Sequence, residues 1–348
     1  MRIIFCQNRP MKRANNLLLR VADPDNLRLA AWKAAKGKRH SVEVMKWSAR
    51  IEEHLSALRE QILSGQVIVG NYRYFKVFEP KERQICASAF GEQVLHHALM
   101  NVCHEYFEQD QIFDSYASRK GKGTYAALER AKIYTNKHDW YLKLDVRKFF
   151  ESISHEVLVN QLTRMFKDAA LVGIFEQVIN SYAASPAFEP SADKPGRGLP
   201  IGNLTSQYFA NHYLVGLDRF VKETLRVKAY VRYMDDMVFW HAEKAPLHEI
   251  QAAVGDFIEN ELGCTLKPEA LNRTVSGVPF LGYHIFPHHV RLLQKSKQRF
   301  IKKLRIIEAG YHSGDWDEAK CQRRVLPLLA FTGHADAKRL RKSVLLGL

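Results

Sequence analysis

The sequence is short of several things, and each shortage excludes a class of protein. No apolar run is long enough to span a bilayer, because charges break the longest hydrophobic stretches. The opening Met1-Arg2-Ile3-Ile4-Phe5-Cys6 is too brief an apolar region for a signal peptide. There are only five cysteines, an odd number, scattered as Cys6, Cys86, Cys103, Cys264 and Cys321 with no Cys-x-x-Cys. That pattern argues against a disulfide framework or a zinc site. It points to a reducing cytoplasm, with the thiols as small core residues. Acidic residues are scarce: 52 Lys and Arg face 37 Asp and Glu, a net charge of +15. No repeat and no low-complexity segment occurs, and the Gly-x-x-x-x-Gly-Lys-Ser/Thr spacing of a phosphate loop is missing.

What is present suits a globular chain. A length of 348 residues with 46% hydrophobic content is enough for two or three structural units around a large core. The basic excess is clustered, which points to a polyanionic partner, nucleic acid above all, and not to a membrane. Residues 11–65 read as mostly helical, with Asp23 capping a helix that has Pro24 in its first turn. Lys36-Gly37-Lys38-Arg39-His40 is a basic break that either touches phosphate or is solvated. Val67-Ile68-Val69 and Tyr72 to Phe78 read as strands around a Gly70-Asn71 turn. Val94 to Tyr106 is helical, and its His96, His97 and His104 are expected to be structural or solvated. Residues 156–182 are expected to be helical and 183–198 a loop or insertion. Helix returns at Leu247 to Glu261, and Leu266-Lys267-Pro268 and Phe280 to Tyr283 read as short strands.

Three carboxylates stand out. Tyr141-Leu142-Lys143-Leu144-Asp145-Val146 alternates and ends a strand at Asp145. About 90 residues later Tyr233-Met234-Asp235-Asp236 sits between Ala229-Tyr230-Val231-Arg232 and Met237-Val238-Phe239-Trp240, two runs rich in β-branched and aromatic residues. Asp-Asp between strands is also ordinary turn chemistry. Adjacent carboxylates repel, and a divalent cation removes that cost. Taken together they are what two-metal phosphoryl transfer needs. Asp145 and Asp235 would bridge two ions, Mg²⁺ with Mn²⁺ as the alternative, Asp236 would lend charge at second rank, and the Val146 carbonyl would complete a shell. Ser115 to Thr124 interleaves Arg119, Lys120 and Lys122 with Gly121 and Gly123. It is either a flexible basic loop or, beside the carboxylates, a phosphate contact. Gly198 to Gln207 leads into a helix. There Gly202 would let something large approach, and Ser206 and Gln207 can hydrogen-bond a base or sugar, unless this is an ordinary capped junction. From Arg291 onward 14 Lys and Arg face 5 Asp and Glu, with Lys295, Lys302 and Lys303 on an amphipathic helix able to lie along a phosphate backbone. The chemistry so read is template-directed polymerisation.

Tyr233-Met234-Asp235-Asp236 resembles the active-site hairpin of reverse transcriptases, and the similarity runs in order from about residue 72 to about 286. The resemblance implies an α+β right-hand polymerase: fingers, a palm with an antiparallel sheet packed on helices, and a helical thumb. The fingers with an N-terminal helical extension would occupy 1–138, the palm 139–286 with an insertion near 183–198, and a short basic thumb 287–348. It implies deoxynucleoside triphosphates as substrates. Lys81, Arg83, Arg119 and Lys122 would meet the triphosphate, Phe150 would be a gate against a ribose 2′-hydroxyl, and Lys267 would lie near the leaving pyrophosphate. Phe280-Leu281-Gly282-Tyr283 resembles the primer grip, and Tyr233 would join it at the primer and template. No endonuclease, maturase or RNase H segment is seen.

Ile201-Gly202-Asn203-Leu204-Thr205-Ser206-Gln207 narrows the resemblance to the enzymes of diversity-generating retroelements of bacteria and phages. That subgroup implies copying of a template-repeat RNA into cDNA with errors at template adenines, and an oligomeric accessory variability protein as partner. Template RNA and the cDNA/RNA duplex would be the nucleic-acid partners. The alternatives are a retron-like or phage-defence reverse transcriptase and a non-catalytic RNA-binding protein on a polymerase scaffold.

Overall fold

The computed structural model describes residues 15–78, 82–182 and 196–345. They divide into two compact units, each assembled from three chain segments. The first takes the chain to Phe113, then Val146–Arg226 and Val254–Leu266; the second takes Asp114–Asp145, Val227–Ala253 and Lys267 onward.

In the first unit the helix Pro24–Ala35 starts where expected. The Asp23 carboxylate accepts from the amides of Asp25 and Asn26 at 3.0 and 3.2 Å, and Pro24 holds the first helical position. Leu27, Ala30, Ala31 and Ala34 recur at helical spacing and are buried, in contact with the long helix Phe90–Asp110. Val67-Ile68-Val69 is not a strand. Its backbone donors go to side chains instead: Val67 to Gln177 Oε1, Ile68 to Gln61 Oε1 and, just beyond, Gly70 to Glu92 Oε2. With those donors occupied, no ladder partner is needed. The hairpin that does form pairs β1 (Tyr72–Val77) with β2 (Arg83–Ser88), so Gly70-Asn71 precedes the paired strands and does not join them. The expected helix over 156–182 is two helices, His155–Met165 and Ala169–Asn180. Asp168 restarts the second by accepting from the Leu171 amide, and its carboxylate also takes the amides of Leu17 and Leu18. Phe107, Phe166, Phe175 and Phe209 meet edge-on or tilted at 5.4 to 6.4 Å and form an aromatic core. Most of the 183–198 loop lies outside the described residues.

The second unit holds a four-stranded antiparallel sheet. Its strands are β3 (Trp140–Asp145), β4 (Tyr230–Tyr233), β5 (Asp236–His241) and β6 (Ala270–Arg273), in the order β4-β5-β3-β6. A second, three-stranded antiparallel sheet runs β7 (Val278–Phe280), β8 (Tyr283–Ile285), β9 (Val290–Leu292). Period-two alternation sends Tyr141, Val231, Val238 and Trp240 to one face, where they pack with Ala127, Leu128 and Tyr134 of the helix Thr124–Lys137 and with Phe280 and Tyr283. Each of those large side chains contributes about 1.5–3 kcal/mol by leaving water. The Trp240 indole N–H donates to the Thr135 hydroxyl at 3.1 Å, so the core carries no stranded donor there. Leu266-Lys267-Pro268 is not a strand; Leu266 makes a single bridge with Val146. The helices Gln294–His312, Glu318–Gly333 and Lys338–Leu345 follow. Among the described residues no helix is long and apolar enough to cross a membrane. The thiols of Cys86, Cys103 and Cys264 are buried, while Cys321 is half-exposed.

Candidate active site

The strands β4 and β5 are apolar enough to be buried almost throughout, and they meet at a two-residue turn. Tyr233 pairs with Asp236, which leaves Met234 and Asp235 at the tip. Met234 takes a left-handed conformation, φ 55°, which costs a non-glycine residue free energy. The surroundings hold it. Arg232, fully buried, donates from its guanidinium to the Met234 carbonyl at 3.1 Å. Arg232 in turn is fixed through its backbone, which bonds Asp114 and Tyr116.

Antiparallel register places Asp145 directly opposite Asp236, so both side chains leave the same face of the sheet. Asp235 lies close enough to Asp145 for the two carboxyls to act on one another electrostatically. Burial first, then the Asp145 charge, pushes the Asp235 carboxyl up to about 6, and Lys267 offsets part of that rise. Burial also raises Asp236, against the pull of Lys143. Two ammonium groups serve these acids. Lys267 donates to Asp145 Oδ1 at 2.6 Å, and its amide donates to the Asp145 carbonyl. Lys143 donates to Asp236 Oδ2 at 3.0 Å. The other Asp236 oxygen, Oδ1, is buried without a partner.

Among the described residues no three His, Cys, Asp or Glu side chains form a ready metal cage. What is present fits hard divalent cations. Asp145 and Asp235 lie close together, their donors are all oxygen, and burial and the Asp145 charge raise Asp235, as expected of anions packed together with only partial compensation from Lys267. Val146, next in the chain, is fully buried and belongs to the first unit.

The reverse transcriptase (RNA-dependent DNA polymerase) family matches residues 81–285, and the chain belongs to it. Protein YkfC of Escherichia coli K12 is 22% identical over 182 residues, covering 50% of this chain and 47% of that protein. The putative COX1/OXI3 intron 1 protein of Saccharomyces cerevisiae is 18% identical over 176 residues, 50% of this chain and 21% of that one. Nuclear intron maturase 1, mitochondrial, of Arabidopsis thaliana is 19% identical over 132 residues, 38% of this chain and 18% of that one. The chain thus spans about a fifth to a half of the length of these relatives. The solved structure of apo telomerase from Candida tropicalis, truncated from its C-terminal domain, aligns with TM-score 0.50 at 12% identity, covering 70% of this chain and 60% of that one. The fold is therefore the α+β polymerase fold that the sequence implied.

The remaining sequence-predicted residues divide between the units. In the second, the Arg119 guanidinium donates to the Ser115 carbonyl at 2.7 Å, and the Lys122 ammonium lies 4.9 Å over the Tyr116 ring. The loop they occupy is tied to the β4–β5 hairpin, since Thr124 donates to the Tyr233 hydroxyl at 3.2 Å. Leu281 and Gly282, both at positive φ, form the tight turn of the β7–β8 hairpin. Phe280 and Tyr283 are core residues, and the Tyr283 hydroxyl is taken by the Phe331 carbonyl at 2.7 Å. Only Leu281 and the turn backbone can be offered outward. Lys295 and Lys302 are exposed and Lys303 half-buried on the helix Gln294–His312, whose Phe300, Leu304 and Ile307 face inward.

In the first unit Arg83 is exposed at the start of β2, and Lys81 lies outside the described residues. Phe150 is half-buried and edge-on to Phe149. Gln207 is exposed on the helix Leu204–Tyr213. Gly202 does receive a close neighbour, but it is protein: a Cβ there would stand 2.5 Å from the Cys86 carbonyl of β2. The Ile201 carbonyl accepts from the Cys86 amide at 2.8 Å. In the basic break, Lys38 bonds Gln93 and the Arg39 guanidinium lies 5.7 Å from the Trp32 ring. His96 is buried and held down to about 3, chiefly by desolvation, so it is a neutral core histidine. Lys143 and Arg232 escaped the sequence reading. Lys143 was signalled: two residues before Asp145 in an alternating strand, it shares that carboxylate's face.

Proposed function

We propose that this chain is an RNA-directed DNA polymerase that copies a template-repeat RNA into cDNA within a diversity-generating retroelement, with errors at template adenines. The observation that carries the polymerase reading is the close approach of Asp145 and Asp235, residues 90 apart in sequence, with Lys267 on the Asp145 carboxylate and Lys143 on that of Asp236. Two divalent ions, Mg²⁺ or Mn²⁺, would supply Lewis acidity and neutralise phosphate charge when bound between Asp145 and Asp235. The chain's own residues do the rest. Asp236, with one oxygen on Lys143, adds negative charge behind the pair. Lys267 is placed to leave Asp145 for an incoming triphosphate, and the Arg119–Lys122 loop adds further cations. The Leu281–Gly282 turn seats the primer, and Lys295, Lys302 and Lys303 face the duplex backbone.

Primer extension on an RNA template tests this reading. The wild type should add deoxynucleotides and Asp235→Ala should not; equal behaviour of the two sinks the enzyme. The retroelement subgroup rests on the Ile201-Gly202 string. Ile201 cannot hydrogen-bond near a nucleotide where a glutamine can, so base-pair geometry is less tightly checked. Ile201→Gln should lower misincorporation at template adenines in sequenced cDNA, and an unchanged error spectrum rejects the explanation. An oligomeric accessory protein belongs to the same proposal, and co-purification with the chain checks it. The intron proteins among the relatives favour one second reading, an intron-associated reverse transcriptase. Sequencing of RNA bound to the chain in cells decides between a template repeat and an intron.

A further inference from the structure

Lys143 has no role in the reaction as set out above, yet its placement is specific. Alternation along β3 puts it on the face that carries Asp145. Its ammonium donates to Asp236 Oδ2 at 3.0 Å and to the Pro279 carbonyl at 2.9 Å, and lies 6.0 Å from the centre of the Phe280 ring. Its side chain is 22% exposed, so both bonds form largely out of water, where a charge-assisted bond is strong. Asp236 belongs to the catalytic turn and Pro279 to β7, the outer strand of the other sheet. One ammonium therefore joins the two sheets of this unit. It does so one residue from Asp235 on one side and two from Leu281 on the other.

The chemistry of the contact is also one-sided. Asp236 has no partner for Oδ1, and its Oδ2 takes the Lys143 ammonium. Removing the ammonium strands a buried carboxylate and frees the Pro279 carbonyl at once. A methionine would fill the space and satisfy neither. An arginine carries several donors and can reach both acceptors.

We infer that Lys143 is a positioning residue: it sets the Asp235–Asp236 turn in register with the Phe280–Tyr283 hairpin, so that a primer end seated on that hairpin meets Asp145 and Asp235. The inference rests on the polymerase reading. Its test uses the full chain with Lys143→Met, Lys143→Arg, Asp236→Asn and the Lys143→Met/Asp236→Asn double variant. Thermal melting in metal-free buffer reads the contact itself. Lys143→Met should lower the Tm, and adding Asp236→Asn should restore part of it, because the stranded anion is gone. Single-nucleotide addition reads the role. Lys143→Met should lower kcat by about tenfold or more, while the KM for the deoxynucleotide and the Kd for primer–template stay within about threefold. Lys143→Arg should recover much of the kcat. In the Asp236→Asn background the further loss from Lys143→Met should shrink to about threefold or less.

A kcat for Lys143→Met within about twofold of wild type overturns the inference. So does an arginine variant no better than methionine, or strict additivity with Asp236→Asn. A melting effect without a kcat effect reduces Lys143 to a structural ion pair and also overturns it. A wild type that extends no primer on any template defeats the polymerase reading and this inference together. An active wild type with unaffected Lys143 variants defeats this inference alone.

Discussion

Gly202→Ala separates two accounts of one residue. The sequence suggests a glycine cleared for something large, which a substrate could be, whereas the structure shows the backbone of β2 against it. Its φ is +134°, a conformation open to glycine and strained for alanine, and the new Cβ would stand 2.5 Å from the Cys86 carbonyl oxygen. That atom is backbone in a paired strand, so it cannot swing aside as a side-chain tip would. Relief requires the 201–202 segment to back away from β2, which breaks the 2.8 Å bond from the Cys86 amide to the Ile201 carbonyl. Backbone strain of about 1–3 kcal/mol and a lost hydrogen bond of about 1 kcal/mol place the destabilisation near 2–4 kcal/mol. Urea unfolding followed by far-UV circular dichroism measures it. A loss below about 0.5 kcal/mol, with nucleotide addition nonetheless abolished, would refute the reasoning and return Gly202 to the substrate.

Asp235→Asn should stabilise the metal-free protein at pH 7. A carboxyl raised from 3.8 to about 6 contributes stability below its unfolded value and loses that contribution as pH rises through 6. The variant's Tm advantage should therefore shrink between pH 7 and pH 4, and a pH-independent difference contradicts the assignment. Gly282→Ala should destabilise by about 1–3 kcal/mol, since a φ of +91° is strained for alanine and its Cβ would meet Ser296 Oγ at 3.0 Å and the Phe331 ring at 3.1 Å. Denaturant unfolding checks it, and an unchanged midpoint would show that the turn relaxes freely.

Local pattern made the centre of the site legible. Alternation and β-branched composition located β3, β4 and β5, and the adjacent carboxylates marked where they converge. Asp23 and Pro24 announced their helix because a cap is a contact between near neighbours. What failed was long-range. Val67-Ile68-Val69 has strand composition, but Gln177, 110 residues away from Val67, takes its first amide. Composition carries no trace of such a partner. Gly202 was read as a close approach and the structure brings the Cys86 carbonyl there, a partner the sequence did not name because a missing Cβ tells of crowding without naming the neighbour. Phe280 and Tyr283 matched a functional motif while serving the core, since a tight turn needs its flanking side chains anchored. Lys143 drew no attention in its strand because its acceptors lie in β5 and β7, remote in the chain.

The contact between Lys143 and Pro279 has a consequence for association as well as for catalysis. Outer strands of sheets invite other chains to pair with them, and proteins protect such borders with proline and charge. On β7 the middle residue is Pro279, which has no amide hydrogen to offer, and its carbonyl is already committed to an ammonium. That border is closed to strand addition at both its donor and its acceptor. Copies of the chain that meet at high local concentration are thereby kept from zipping sheet to sheet at this margin.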